Sequence, residues 1–253
     1  MAGWFSEGVT GAFIIGTSIN AAAIVLGAVV GLVRKTPMTG ENQAFFKVGL
    51  GLATVVFGLR LTVVSLHGSL KQILGQLGIV ILAMMLGKLT GRLLRLQKLS
   101  NRLGKFARER IAAVRPGQRG SSAEGVNVCA ALFCAAPLGI IGAISESLGA
   151  GPLPLLVKAA MDGLAAFGFV ALFGWAVALS ALPVLAFQGA VSLVVLQFAR
   201  PYLEAHQLAD PVNATAGLLV FCVSLLIFEV KRVAMADYLP SLAWAPLLTL
   251  WLR

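Results

Sequence analysis

The sequence predicts an all-α polytopic membrane protein, with about seven transmembrane helices plus a short C-terminal hydrophobic segment. Three observations carry that prediction. Hydrophobic residues make up 58% of the 253 residues and charged residues only 12%, where a soluble domain carries about 25% charged. Mean hydropathy is +0.91. The apolar residues also fall into repeated runs of about 20, the length a helix needs to cross a hydrocarbon core. So few charges cannot cover a surface facing water.

The N-terminal tail, MAGWFSEGVTG, has no positive n-region. The apolar run behind it reads as a first transmembrane helix and not a cleaved signal peptide. That span covers 11–33, the second 44–66, and the third begins near Lys71 and leaves the bilayer near Lys88. The fourth covers 125–148, the fifth 153–178, the sixth 181–199 and the seventh 213–230. The last apolar run, 238–252, is short and contains two prolines. It reads as a short eighth span or as a helix lying partly in the interface.

Charge orients the set. The net charge is +10, and ten of the twenty Lys and Arg lie between Lys88 and Arg119, opposed there only by Glu109. Beside a span, such a cluster marks a cytoplasmic loop near anionic lipid headgroups and not a nucleic-acid site. Arg34, Lys35, Lys231 and Arg232 fall on the same side, which places the N-terminus outside. Arg60, Lys71 and Arg200 fall on the other side, so the rule holds on balance. Leu89, Leu93, Leu96, Leu99, Leu103 and Phe106 recur at three and four, continuing the third span as an amphipathic helix until Pro116 ends it. Its basic side carries Lys88, Arg92, Arg95, Lys98, Arg102 and Lys105. It reads either as a lipid-surface or partner-docking helix, or as an orientation signal with a solvated face.

The chain reads as one transmembrane domain, 1–253, with possible repeat halves at 11–91 and 125–203. A basic cytoplasmic amphipathic segment, 92–124, joins them, and C-terminal helices occupy 213–252. Three spans per half is odd, so a second copy enters from the opposite side, as in inverted-repeat transporters. Weak cues pair Lys47 with Lys158, Gln76 with Gln188, and Asn20 with Asn127. Gly27/Gly31 and Gly87/Gly91 have the small-xxx-small spacing of close helix packing.

Polar residues at depth are the functional candidates. An ionised residue at the bilayer centre costs about 2.5–3.5 kcal/mol on insertion scales. Lys158 lies about one turn inside the fifth span and Asp162 one turn deeper. Residues i and i+4 share a helix face, so the pair can neutralise itself. Either it is a salt bridge that orients the span, or Asp162 binds an ion or solute with Lys158 as counter-charge. Gln188, Ser192, Asn20, Asn127 and Lys47 complete the candidate path for an ion or small polar solute.

Cys129, Cys134 and Cys222 lie in apolar runs without CxxC spacing, so they read as small buried residues, with no metal site and no cofactor. No nucleophile, base or metal set has a partner at catalytic spacing, and the chain does not read as an enzyme. A chain of this size reads as a homodimer if it transports. The alternative is a non-transporting scaffold that binds lipid or a partner through 88–119.

Several stretches have a family likeness. GTSINAAAIVLGAVVGL at 16–32, EGVNVCAALFCAAPLGIIGAISESLGAG at 124–151, LLVKAAMDGLAAF at 155–167, QGAVSLV at 188–194 and ADYLPSLAWAPLL at 236–248 are the stretches concerned. Together they resemble the domain of unknown function 554 family of bacterial inner-membrane proteins. The resemblance implies a multi-pass membrane fold and puts Lys158, Asp162 and Gly163 on the family's polar motif positions. Ala159 and Ala166 stand where the family often has Ser, Glu146 and Ser147 stand near its acid-Gly, and Ala216-Gly217 replaces a Gly-Gly.

Overall fold

The computed structural model describes residues 14–34, 36–114 and 120–252. The N-terminal tail, the first residues of the first predicted span, and the helix stop at Pro116 lie outside these described residues. Every regular element among them is helical.

α1 (Ile15–Arg34), α2 (Gly40–Val64) and α3 (Leu70–Leu93) are each long and apolar enough to cross a membrane. Thr39 Oγ1 accepts the Asn42 N–H at 3.4 Å and so starts α2, and Gln72 Oε1 accepts the Ser69 N–H at 2.7 Å at the start of α3. The third span does not run on into the basic segment as predicted. Arg95 adopts the left-handed region (φ 57°), and the chain turns there into a separate helix, α4 (Leu96–Ala113).

The fourth predicted span is also not one helix. α5 (Ser122–Ala135) and α6 (Pro137–Ser147) meet at 59°. Pro137 has no N–H for the helix ladder and pushes Ala136 out of the helical region, to ψ 116°. α7 (Leu153–Phe173) ends at Gly174, whose φ of 62° and ψ of −146° suit glycine. α8 (Ala176–Leu179), α9 (Ala181–Val194), a π-helical turn (Val195–Ala199) and α10 (Arg200–Ala205) form one span-length stretch. α11 (Ala209–Ile227) follows, then a 3-10 turn (Met235–Tyr238) and α12 (Ser241–Leu252). At 12 residues α12 is about 18 Å long, well short of a hydrocarbon core. The described residues hold six span-length helices, or seven with the bent α5–α6 pair.

Three helix pairs organise the bundle: α1 on α7, α2 on α11, and α3 on α12. Each contact is made by glycine. A Cβ on Gly27 would lie 2.0 Å from Gly163 O, and one on Gly31 2.6 Å from Phe167 O. One on Gly58 would lie 2.7 Å from Gly217 O. Gly87 and Gly91 abut Ser241 and Asp237, and Trp244 Nε1 donates to Thr90 Oγ1 at 2.9 Å alongside them. Without a hydrophobic drive between helices in lipid, such close backbone approach and its dispersion contacts hold the bundle. The outward faces stay apolar, with Phe45, Val63, Leu93 and Phe198 exposed.

Ion pairs show which loops share a side. His67, after α2, lies 3.5 Å from Asp210 at the start of α11. Lys47, early in α2, lies 2.6 Å from Glu229, just past α11. Asp237 Oδ1 accepts the Gln97 N–H at 2.8 Å and ties α4 to that second side.

Candidate functional site in the bundle core

Asp162 is central. It sits midway along α7, and its Oδ2 accepts from both Lys158 Nζ and Asn20 Nδ2, the latter at 3.1 Å. Asn20 also donates to Gln188 Oε1 at 3.3 Å. All four side chains are buried, Lys158 to 1% exposure and Asp162 to 6%. Lys158 is among the largest fully buried side chains of the described residues. It therefore does not snorkel to the headgroups.

The broken helix completes the arrangement. Gly139 lies in the first turn of α6, next to the break. A Cβ there would fall 2.8 Å from Lys158 Cε and 3.0 Å from Gln188 Nε2. The missing side chain is what lets those two ends reach the helix start. Gln188 Nε2, Asn20 Oδ1 and Ser192 Oγ are buried without a hydrogen-bond partner among the described residues. Unpartnered buried polar atoms are costly, so these atoms call for a partner that the packed helices do not supply. The π-helical turn that follows Ser192 is a further irregularity of the kind common at functional sites.

The buried faces of these helices change character at one level. α1 buries Gly16, Thr17 and Asn20, then Ala21, Ile24 and Ala28. α7 buries Lys158 and Asp162, then Ala166, Val170 and Phe173. α9 runs Ala181 and Val184, then Gln188 and Ser192. α5 buries Val128, Cys129 and Phe133, and α6 buries Ser145, Glu146 and Ser147. The apolar members form one packed cluster. A polar half thus sits at the N-terminal end of α1, and an apolar seal closes the other half.

Five of the sequence candidates meet here: Asp162, Lys158, Asn20, Gln188 and Ser192. Two do not. Asn127 is exposed on the face of α5 opposite Val128 and Cys129. Lys47 is at the bundle surface with Glu229, and the hydrogen bond and charge of Lys47 hold the Glu229 carboxyl below its ordinary value. The six basic residues from Lys88 to Lys105 are all exposed, away from the core. The weak repeat cues do not share environments: Gln188 is buried, whereas Gln76 Nε2 donates to His67 O at 2.8 Å in an exposed turn.

Glu146 and Thr17 were not among the candidate path residues. Glu146 is 2% exposed, and its Oε1 accepts the Gly16 N–H at 2.6 Å. The signal was an acid inside the apolar run 137–150. A crevice of about 1010 Å³ lies elsewhere, between α1, α2 and α7. Leu32, Met38, Phe46, Met161 and Phe167 line it, with Lys47, so its walls suit a lipid chain.

Residues 15–250 match the family described as "Protein of unknown function (DUF554)". The chain belongs to the DUF554 family. Two relatives over nearly the whole chain have descriptions that name no activity. One is an "Uncharacterized membrane protein YdfK" of Bacillus subtilis (strain 168), 26% identical over 91% of this chain and 93% of the relative. The other is an "Uncharacterized protein YqgA" of Escherichia coli (strain K12), 29% identical over 94% of this chain and 97% of the relative. No solved structure matches this DUF554 chain.

Proposed function

We propose that this DUF554 protein is a transporter or channel for an ion or small polar solute, with the Lys158–Asp162 pair in the path. One observation carries the reading. A buried ion pair, two amides and a helix break converge where four helices turn from polar to apolar. A pair kept only to orient α7 needs none of the unpartnered amide and hydroxyl atoms around it. Intramembrane charges facing a bundle interior commonly mark solute pathways, and broken helices commonly line transporter sites.

In this reading the solute enters from the polar half and is blocked by the apolar seal, so the described conformation is closed. Passage requires the apolar seal built by α1, α5, α7 and α9 to open. The halves 11–91 and 125–203 are the natural moving bodies, with α11 and α12 as additions. The protein does no chemistry on the solute. It sits in the bacterial inner membrane, N-terminus outside, as a homodimer, with α4 against anionic headgroups.

The test is flux through proteoliposomes, scanning candidate ions and small polar solutes, with Asp162→Asn and Lys158→Ala beside the parent chain. Loss of flux in both variants, measured on the folded fraction, is the expected result. Unchanged flux in both would sink the site. It would leave the exposed basic face of α4, bearing Lys98, Arg102 and Lys105, as the functional surface for lipid or a partner.

A further inference from the structure

Glu146 presents a charge problem that the Lys158–Asp162 pair does not solve. The buried charged residues among those described are Glu146, Lys158, Asp162 and Asp237. Lys158 is already paired with Asp162. Asp237 lies in the 3-10 turn against Gln97, on the side of the bundle that holds α4. No Lys, Arg or His of the described residues forms an ion pair with Glu146.

Helix dipoles do not fill the gap. Glu146 Oε1 takes the Gly16 N–H at the start of α1, where the dipole supplies roughly half a positive charge. Glu146 also lies in the last turn of α6, where the dipole supplies roughly half a negative charge. The two offset one another. A full carboxylate charge is left in a place water does not reach, and that is strongly unfavourable without a counter-charge.

The atoms left over have a definite chemistry. Glu146 Oε2 and Thr17 Oγ1 are both buried, at residue exposures of 2% and 0%, and neither has a hydrogen-bond partner among the described residues. A carboxylate oxygen accepts only, and a hydroxyl oxygen also coordinates. No group of three His, Cys, Asp or Glu side chains among the described residues is placed for a metal ion. A single carboxylate with neutral oxygens beside it matches one positive charge.

We propose that Glu146 and Thr17 form a monovalent-cation site, occupied by a proton or a sodium ion. It lies at the end of the polar column nearest the start of α1, from which the column leads through Asn20 to Asp162. A proton would sit on Oε2, whereas sodium would be held between Oε2 and Thr17 Oγ1, the two oxygens left without a partner. The role as coupling ion rests on the transport reading, but the site itself does not.

The test therefore needs no solute. Full-length protein in nanodiscs is assayed for radiolabelled sodium binding and, by infrared difference spectroscopy, for a protonated-carboxyl C=O stretch at neutral pH. Glu146→Gln keeps an oxygen for the Gly16 N–H and so keeps the fold, which monodisperse elution checks. Thr17→Val is the second variant.

Saturable sodium binding, weakened about tenfold or more in both variants, supports the sodium form. A carboxyl band absent from Glu146→Gln, shifted in Thr17→Val and retained in Asp162→Asn supports the proton form. The proposal is overturned if the parent chain shows neither signal. It is equally overturned if both signals survive in Glu146→Gln, or if they disappear only in Asp162→Asn. That last pattern would leave the Asp162 pathway standing without Glu146, so the two readings fail separately.

Discussion

At the residue scale the bundle turns on one ion pair, and removing either half alone should be harsh. Lys158 and Asp162 are buried together, and an orphaned charge at that depth costs about 3–5 kcal/mol. Replacing both by Leu removes the charges without leaving either unpaired, and that is commonly neutral or stabilising. In detergent melts, Lys158→Leu and Asp162→Leu should each unfold well below the parent chain, and the double variant close to it. If the double variant is well folded but passes no solute, the pair is functional; if it is as unstable as the singles, the pair serves folding. Asn20 belongs in the same set, because its Nδ2 bridges Asp162 and Gln188.

At the element scale, glycines separate packing from function. Gly27 and Gly139 both sit in helices with no room for a Cβ, but the obstacles differ. At Gly27 it is the backbone oxygen of Gly163, 2.0 Å away, which moves only if α1 leaves α7. At Gly139 it is the ends of Lys158 and Gln188, at 2.8 and 3.0 Å, which can swing aside. Gly27→Ala should therefore lower thermal stability by about 1–3 kcal/mol, the usual cost of overpacking. Gly139→Ala should melt near the parent chain but lose flux, because Lys158 is pushed off Asp162. Gly75, with nothing within 4 Å of its Cβ position, is the control and should change neither.

These elements also show what was legible in the sequence. Span number, the i, i+4 pair and the close-packing glycines follow from run length and spacing. Which face of each helix points inward does not, because lipid and core are both apolar and leave no amphipathic stripe to read. Asn20 and Asn127 lie in similar runs, yet one is buried and the other exposed. The same ambiguity hides the role of Gly51, one turn after Lys47 in α2: its missing Cβ makes room for the Phe228 ring, 2.4 Å away. The break at Pro137 was visible as a proline, but membrane helices tolerate proline, so the residue alone does not decide between a kink and two helices.

At the scale of the whole molecule, sidedness is a consequence of the ion pairs and of the basic cluster taken together. His67 with Asp210 fixes one face, and Lys47 with Glu229 the other. The Gln97–Asp237 hydrogen bond puts α4 on the second face. Among the described residues that face carries the basic residues from Lys88 to Arg110, while the first carries Arg60, Lys71 and Arg200, so the positive-inside rule predicts that the second is cytoplasmic. Single cysteines at Ser69 and Asp210, on a cysteine-free background, should react with a membrane-impermeant maleimide in intact spheroplasts. Cysteines at Lys105 and Glu229 should react only after the membrane is opened. The reverse pattern would turn the molecule over and put the polar half, with Glu146 and Thr17, at the cytoplasm. A split within either pair would break the topology itself, because Lys47 and Glu229 cannot lie 2.6 Å apart across a bilayer. The direction of labelling also settles from which compartment an ion reaches Glu146 before it reaches Asp162.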